Sequence, residues 1–196
     1  MTQYELQRYY NTLVTNYNSR VNHSVANSDR AHNATIIRFM LDNSRTINMF
    51  CGEMSVFRKK FYSYVDQDHT GLGRTIKEDL VKSLQSFIER GVGHLNIILE
   101  KFDFTMLRDL ISPSVFRTGI RSGIISFRVL NRRAILTEGL SHCTFTDNGI
   151  VRMEIDQESH SAICAVNVSQ SIRDTLESNF KTIQRASTPI NAGLYF

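Results

Sequence analysis

The sequence predicts an α/β fold in which helices flank a mixed β-sheet, and three observations carry that prediction. Two short apolar runs, Thr46–Cys51 and His94–Glu100, read as buried strands. They are separated by about forty residues that include helical spacing, the pattern of a βαβ unit with a parallel crossover. Further on, Asp147-Asn148-Gly149 supplies the positive-φ residues of a hairpin turn between two strand-like stretches.

The elements follow in order. Apolar side chains at Tyr4, Leu6, Tyr9, Leu13, Val14 and Tyr17 suit a helix with one half-buried face. The polar stretch from Asn18 to Asp29 reads as a loop or a weak continuation of that helix. A second helix carries Ala34, Ile36, Ile37, Phe39, Met40 and Leu41 and stops at Asn43-Ser44. After the strand Thr46–Cys51, helical spacing returns from Met54 to Val65, and Asp66 to Gly73 reads as a loop. Thr75, with Glu78 three residues later, predicts a capping box for a helix that ends at Gly91. Phe104 to Leu110 is a short helix halted by Pro113, and Gly123 to Leu130 is a third strand. Ile150 to Ile155 alternates Ile150, Val151, Met153 and Ile155 with Arg152 and Glu154. Ala162 to Val168 is apolar, and Ser169 caps a last helix bearing Ile172, Leu176, Phe180 and Ile183. The expected division is a helical extension over 1–30, an α/β domain over 31–188 and a tail over 189–196.

Composition narrows the function classes. At 196 residues the chain can bury roughly 70% of its unfolded surface without metal or disulfide. Hydrophobic content of 41% and charged content of 21% are ordinary for a globular protein. Cys51, Cys143 and Cys164 form no CxxC pair and sit in apolar runs, where free cysteine acts as a small buried hydrophobe; this favours a reducing setting. There is no apolar run of membrane-span length and no secretion-type start, so a cytoplasmic protein is expected.

Charge is uneven. Between Leu110 and Thr137 stand Arg117, Arg121, Arg128, Arg132 and Arg133 with no acidic residue. They outnumber the net charge of +4, so the positive potential is local, as an anion-binding face requires. Arginine without lysine favours bidentate contacts to phosphate or carboxylate. No histidine pair has metal-ligand spacing, and the Asp66–His69 loop lacks an EF-hand pattern, so no metal or cofactor is expected. Phosphate loops and a GxSxG elbow are also absent. Cys51, at the end of a strand, occupies a position where a nucleophile could stand if a base accompanied it.

The order of elements, with Phe50-Cys51-Gly52 ending a strand, Ile97-Ile98-Leu99 in the next, Ser141-His142 opening the hairpin and Ala162–Asn167 leading into the last helix, resembles one phospholipase D-like domain. That half-size unit works as a homodimer in bacterial nucleases of the superfamily. The resemblance covers Ala31 to Ser187. It implies a signature of His-x-Lys, an Asp five residues after the Lys, and a Gly-Ser-x-Asn strand, with the His forming a phosphohistidine while Lys and Asn hold phosphate oxygens. The matching positions are His142, Thr144 and Asn167. Thr144 stands where Lys would, Gly149 where the Asp would, and Ala165-Val166 where Gly-Ser would.

Without the lysine, the charge on the phosphoryl oxygens loses its partner; without the acid, the imidazole loses its orienting group. The leading expectation is therefore a non-catalytic phospholipase D-like binding or regulatory module, recognising a phosphate-bearing ligand or nucleic acid through Arg117 to Arg133. The alternative is a homodimeric phosphodiesterase or nuclease using His142 and Asn167. A third reading is a subunit of a larger complex, with Tyr4, Tyr9, Tyr10 and Tyr17 at the interface.

Overall fold

The computed structural model describes residues 1–27, 29–131, 141–156 and 161–195. Its described residues form one eight-stranded mixed sheet with helices on both faces. The elements are α1 (Gln3–Asn18), β1 (His23–Asn27), α2 (Arg30–Asn43), β2 (Thr46–Cys51), α3 (Lys59–Asp68), α4 (Leu72–Glu89), β3 (His94–Leu99), α5 (Thr105–Arg108), α6 (Pro113–Arg121), β4 (Ile125–Leu130), β5 (Cys143–Thr146), β6 (Val151–Asp156), β7 (Ser161–Val166), α7 (Gln170–Arg185) and β8 (Ser187–Pro189). Spatial order is β1-β7-β6-β5-β2-β3-β4-β8. β2, β3 and β4 run parallel, as the βαβ pattern requires, and the other pairings are antiparallel.

Several elements depart from the sequence expectation for physical reasons. The polar stretch after α1 contains β1, whose partner β7 lies far along the chain, so no local pattern marks it. The expected helix from Met54 breaks into a 3-10 turn (Ser55–Phe57) and α3, because Met54 adopts φ 46° and Arg58 is extended, bridging to Leu110. Thr75 does not cap α4; that helix starts at Leu72 with Gly71 at its N-cap, and Thr75 lies inside it. α6 begins at Pro113, which a helix accepts in its first turn, so this proline starts a helix as well as ending one. The expected tail is tied down: its first residue, Pro189, ends β8, and Ala192 is buried. The segment 1–30 is more than a helical extension, since β1 is an edge strand and Leu13 belongs to the main core.

The two faces of the sheet are covered unequally. The larger core packs α1 to α4 and α6 against one face, through residues such as Phe39, Leu80, Phe87 and Phe116 on Ile47, Leu95, Ile97 and Phe127. On the other face, among the described residues, α7 alone covers Phe50, Ile98, Phe145 and Val151. Met153 and Ile163, cross-strand partners, stay exposed beyond its reach, as does Ile155. Three of the four N-terminal tyrosines, expected at an interface, are committed internally: Tyr9 donates to Asn27, Tyr10 donates to Asp42, and Tyr17 accepts from Asn148. Tyr4 is exposed.

Candidate functional site: the His142 cleft

His142 stands immediately before β5, beside the ends of β2 and β3, where loops following parallel strands commonly form ligand sites. A cleft of about 260 Å³ opens there. Asn33, Arg152, Glu154, His142 and Thr144 form its polar wall, and Ile37, Met49, Met54, Val56 and Phe61 line its apolar side. The hairpin that carries His142 is anchored at its turn, where the Asn148 amide donates to the Tyr17 hydroxyl and the Asn43 carbonyl.

The register of that hairpin assembles the site. Thr144 lies directly opposite Arg152, and Arg152 opposite Cys164. The row continues through Met49 and Ile97 to Phe127, so one guanidinium sits in an otherwise apolar and small-polar row under the helices. Buried cations need partners, and Arg152 donates from Nε to Asn33 Oδ1 at 3.0 Å and from Nη2 to Glu154 Oε1 at 3.4 Å. One step along, Glu154 accepts the other bond of the cluster, with its Oε2 2.7 Å from His142 Nδ1. The backbone N–H of Glu154 also donates to the His142 carbonyl.

The far side of the imidazole is equally crowded. Its Nε2 lies 3.4 Å from Glu100 Oε2, a charge contact, and is buried with no hydrogen bond among the described residues. Glu100 is fixed there because its backbone N–H donates to the Cys51 carbonyl. Gly52 leaves room for the ring: a Cβ on it would come within 3.2 Å of His142 Cε1. The Phe50 ring meets the imidazole edge to face at 5.4 Å.

Burial alone would lower the pKa of His142, but Glu154 and Glu100 outweigh it and hold the imidazole above its ordinary value. Burial pushes Glu154 upward, and the imidazole with the Arg152 guanidinium brings it below the usual carboxylate value. Cys51 also lines the cleft, and burial pushes its thiol up to about 12, so it stays protonated and is a poor nucleophile. No group of three or more His, Cys, Asp or Glu among the described residues could hold a metal ion.

The other sequence-predicted residues lie elsewhere. Asn167 follows β7, and the register Cys143–Met153–Ile163 places it at the opposite end of the sheet from His142. At about 3.3 Å per strand residue, the offset is roughly 15 Å. Its side chain donates to the carbonyls of Asn16, Tyr17 and Val21, closing the end of α1, and its φ of 55° suits that turn. Arg117 and Arg121 are exposed on α6, which packs on the Phe127 side of β4. Arg128 points to the other face, where it donates to the Ser187 hydroxyl and carbonyl. These three arginines therefore do not share a surface; Arg132 and Arg133 lie outside the described residues.

Glu154 and Arg152 are the candidate site residues that sequence reasoning missed, although the signal was present. A hairpin turning at Asn148 pairs residues equidistant from it, which sets His142 against Glu154 and Thr144 against Arg152. Glu100 and Asn33 reach the site from separate elements and carry no such local mark.

No protein-family model matches the chain, and no curated protein matches it. Among solved structures, it is similar over 86% of its length to Nuc, a phospholipase D family member from Salmonella typhimurium, at 11% identity and a TM-score of 0.47, covering 97% of that chain. It is similar to NucT from Helicobacter pylori at 8% identity and a TM-score of 0.49, covering 98% of that chain. Phosphatidylserine synthase from Haemophilus influenzae Rd KW20 is a third, at 10% identity and 0.48, with 39% of that longer chain covered.

Proposed function

We propose that the chain is a phospholipase D-like module that binds a phosphate-bearing ligand in the His142 cleft without hydrolysing it. The observation that carries this reading is the pair of carboxylates around one imidazole, Glu154 at 2.7 Å from Nδ1 and Glu100 at 3.4 Å from Nε2. They favour the imidazolium, which has no lone pair with which to attack phosphorus. A phosphate oxygen that replaced the Glu100 carboxylate at Nε2 would meet this cation beside the Arg152 guanidinium. The anion-binding role thus moves from the Arg117 to Arg133 segment to the cleft.

A phosphodiesterase is the second reading, favoured by one observation. Arg152, directly across from Thr144, supplies from the neighbouring strand a cation near the place where His-x-Lys carries its lysine, and Glu154 supplies an orienting acid. Bis-(p-nitrophenyl) phosphate separates the two. The binding module gives no hydrolysis across a broad pH range, while inorganic phosphate binding in calorimetry is lost in Arg152→Gln. Hydrolysis abolished by His142→Ala, and raised in Glu100→Gln, would establish the enzyme instead. Assembly with a second copy or another protein is part of either reading, supported by the exposed Met153, Ile155 and Ile163, and light scattering tests it.

A further inference from the structure

The cleft at His142 continues past that residue. Glu53, Ser55 and Phe61 line it and also line an adjoining depression of about 160 Å³. The other walls of the depression are Arg30, Arg58, Lys60 and Tyr64, so three cations face one carboxylate. Arg30 and Lys60 both lie over the Tyr64 ring, at 5.3 and 5.6 Å from its centre. That ring holds the two positive groups in place without neutralising them. Arg58 is fixed by Glu53 at 2.7 Å and Asp109 at 3.1 Å. Lys60 is exposed and has no carboxylate partner among the described residues. The Arg30–Asp68 pair, with side chains 28% and 44% exposed, is of the kind that contributes little and exchanges readily for a stronger anion.

Folding accounts for Arg58, through its two carboxylates, but not for the lysines beside it. Arg58, Lys59 and Lys60 crowd the start of α3, which has no acidic residue in its first turn. Positive side chains at that end of a helix repel the backbone dipole. A bound anion would offset this repulsion.

We propose that the depression is a second phosphate subsite, so that the ligand of this protein is a chain of phosphodiesters with one phosphate at His142 and another at Arg30 and Lys60. The inference rests on the reading that the His142 cleft receives the first phosphate. Each phosphate neutralised by a basic side chain releases counterions, which makes the second contact visible as salt dependence.

The test compares three probes on the full chain: an end-labelled oligothymidylate, a thymidine dinucleotide with a single phosphodiester, and inorganic tripolyphosphate. The wild-type protein is expected to bind the oligonucleotide more tightly than the dinucleotide. Lys60→Glu should weaken the oligonucleotide roughly tenfold, lower the slope of log affinity against log salt by about 0.7, and leave the dinucleotide unaffected. Arg30→Gln should act in the same direction. Equal weakening of both nucleotide probes, or of neither, overturns the subsite. Oligonucleotide binding that depends on Lys60 but is accompanied by no dinucleotide binding counts against the His142 reading and not against the subsite. Tripolyphosphate binding that matches the oligonucleotide in affinity and in its dependence on Lys60 keeps the subsite and overturns the diester chain.

Discussion

His142 and His69 each touch a carboxylate, and their surroundings separate a candidate site from a structural tie. His69 lies at the end of α3, with Nε2 2.5 Å from Asp29 and Nδ1 2.7 Å from the Met1 amino group. Asp29 caps α2 by accepting from the Ala31 N–H at 2.6 Å, so this pair joins three helix ends. His142 instead has a carboxylate on each side, a guanidinium sharing one of them, and a cleft of about 260 Å³ in front. A histidine–carboxylate contact is therefore common structural hardware. What distinguishes His142 is the surplus of buried charge, which is more than a tie between elements needs.

The largest expected effect tests that surplus. Glu154→Ala leaves His142 and Arg152, with side chains 9% and 13% exposed, without their shared carboxylate. Removing one partner of a buried ion pair costs about 3–5 kcal/mol, measurable by urea unfolding. Asp29→Ala loses a cap and a more open contact and should cost about 1 kcal/mol. Equal losses would erase the distinction between the two clusters.

Dependence on pH sharpens the same comparison. Because His142 is raised from 6.5, its contribution is complete below pH 6.5 and is lost as pH climbs through the raised value. Glu154 is lowered from 4.5, so its contribution is complete above pH 4.5 and is lost as pH falls through the lowered value. The stability gap between wild type and Glu154→Gln should therefore be widest between pH 4.5 and 6.5 and narrow on both sides. Asp29 is lowered from 3.8, so the gap for Asp29→Asn should hold above pH 3.8 and close below it. A Glu154→Gln gap that stays flat from acid to alkaline pH would mean that the pair carries no charge.

A smaller effect is expected from Gly52→Ala. Its new Cβ, 3.2 Å from His142 Cε1, requires the ring to shift by a few tenths of an ångström. The expected cost is about 1 kcal/mol, together with a displaced His142 Cε1–H signal in NMR. An unmoved signal would show that the loop yields instead and that the imidazole is not tightly seated.

Legibility in the sequence followed the range of the interactions. β2, the turn at Asn148 and α7 were marked by local patterns: an apolar run, a turn sequence in which Gly149 alone takes positive φ, at 83°, and a serine cap. β1 and β8 were not, because each is short and polar and exists only through a partner distant in the chain. β6 is the instructive case. Its alternation was plain, but alternation gives two faces without saying which is inside. Met153 and Ile155 point outward and are exposed, while Arg152 and Glu154 face the cleft. The polar half of that alternation is the polar wall of the cleft. His142 was readable as a candidate, but the groups that set its chemistry come from α2, β6 and the end of β3.

The smallest expected effect follows from where α6 lies. Arg117 and Arg121 are exposed on a helix over β4, and in the sheet β4 is separated from β5 by β2 and β3. Three strand spacings of about 4.8 Å put α6 roughly 14 Å from the strand that begins at His142. That exceeds the Debye length of about 8 Å at physiological salt. The double charge reversal Arg117→Glu with Arg121→Glu should change stability by less than about 0.5 kcal/mol. It should also change phosphate affinity at His142 by less than about twofold at that ionic strength. The effect should grow as salt is removed, because long-range potential is all that links the two regions. A loss at physiological salt comparable to that of Arg152→Gln would return the anion-binding role to the arginine-rich segment and leave His142, like His69, a structural tie.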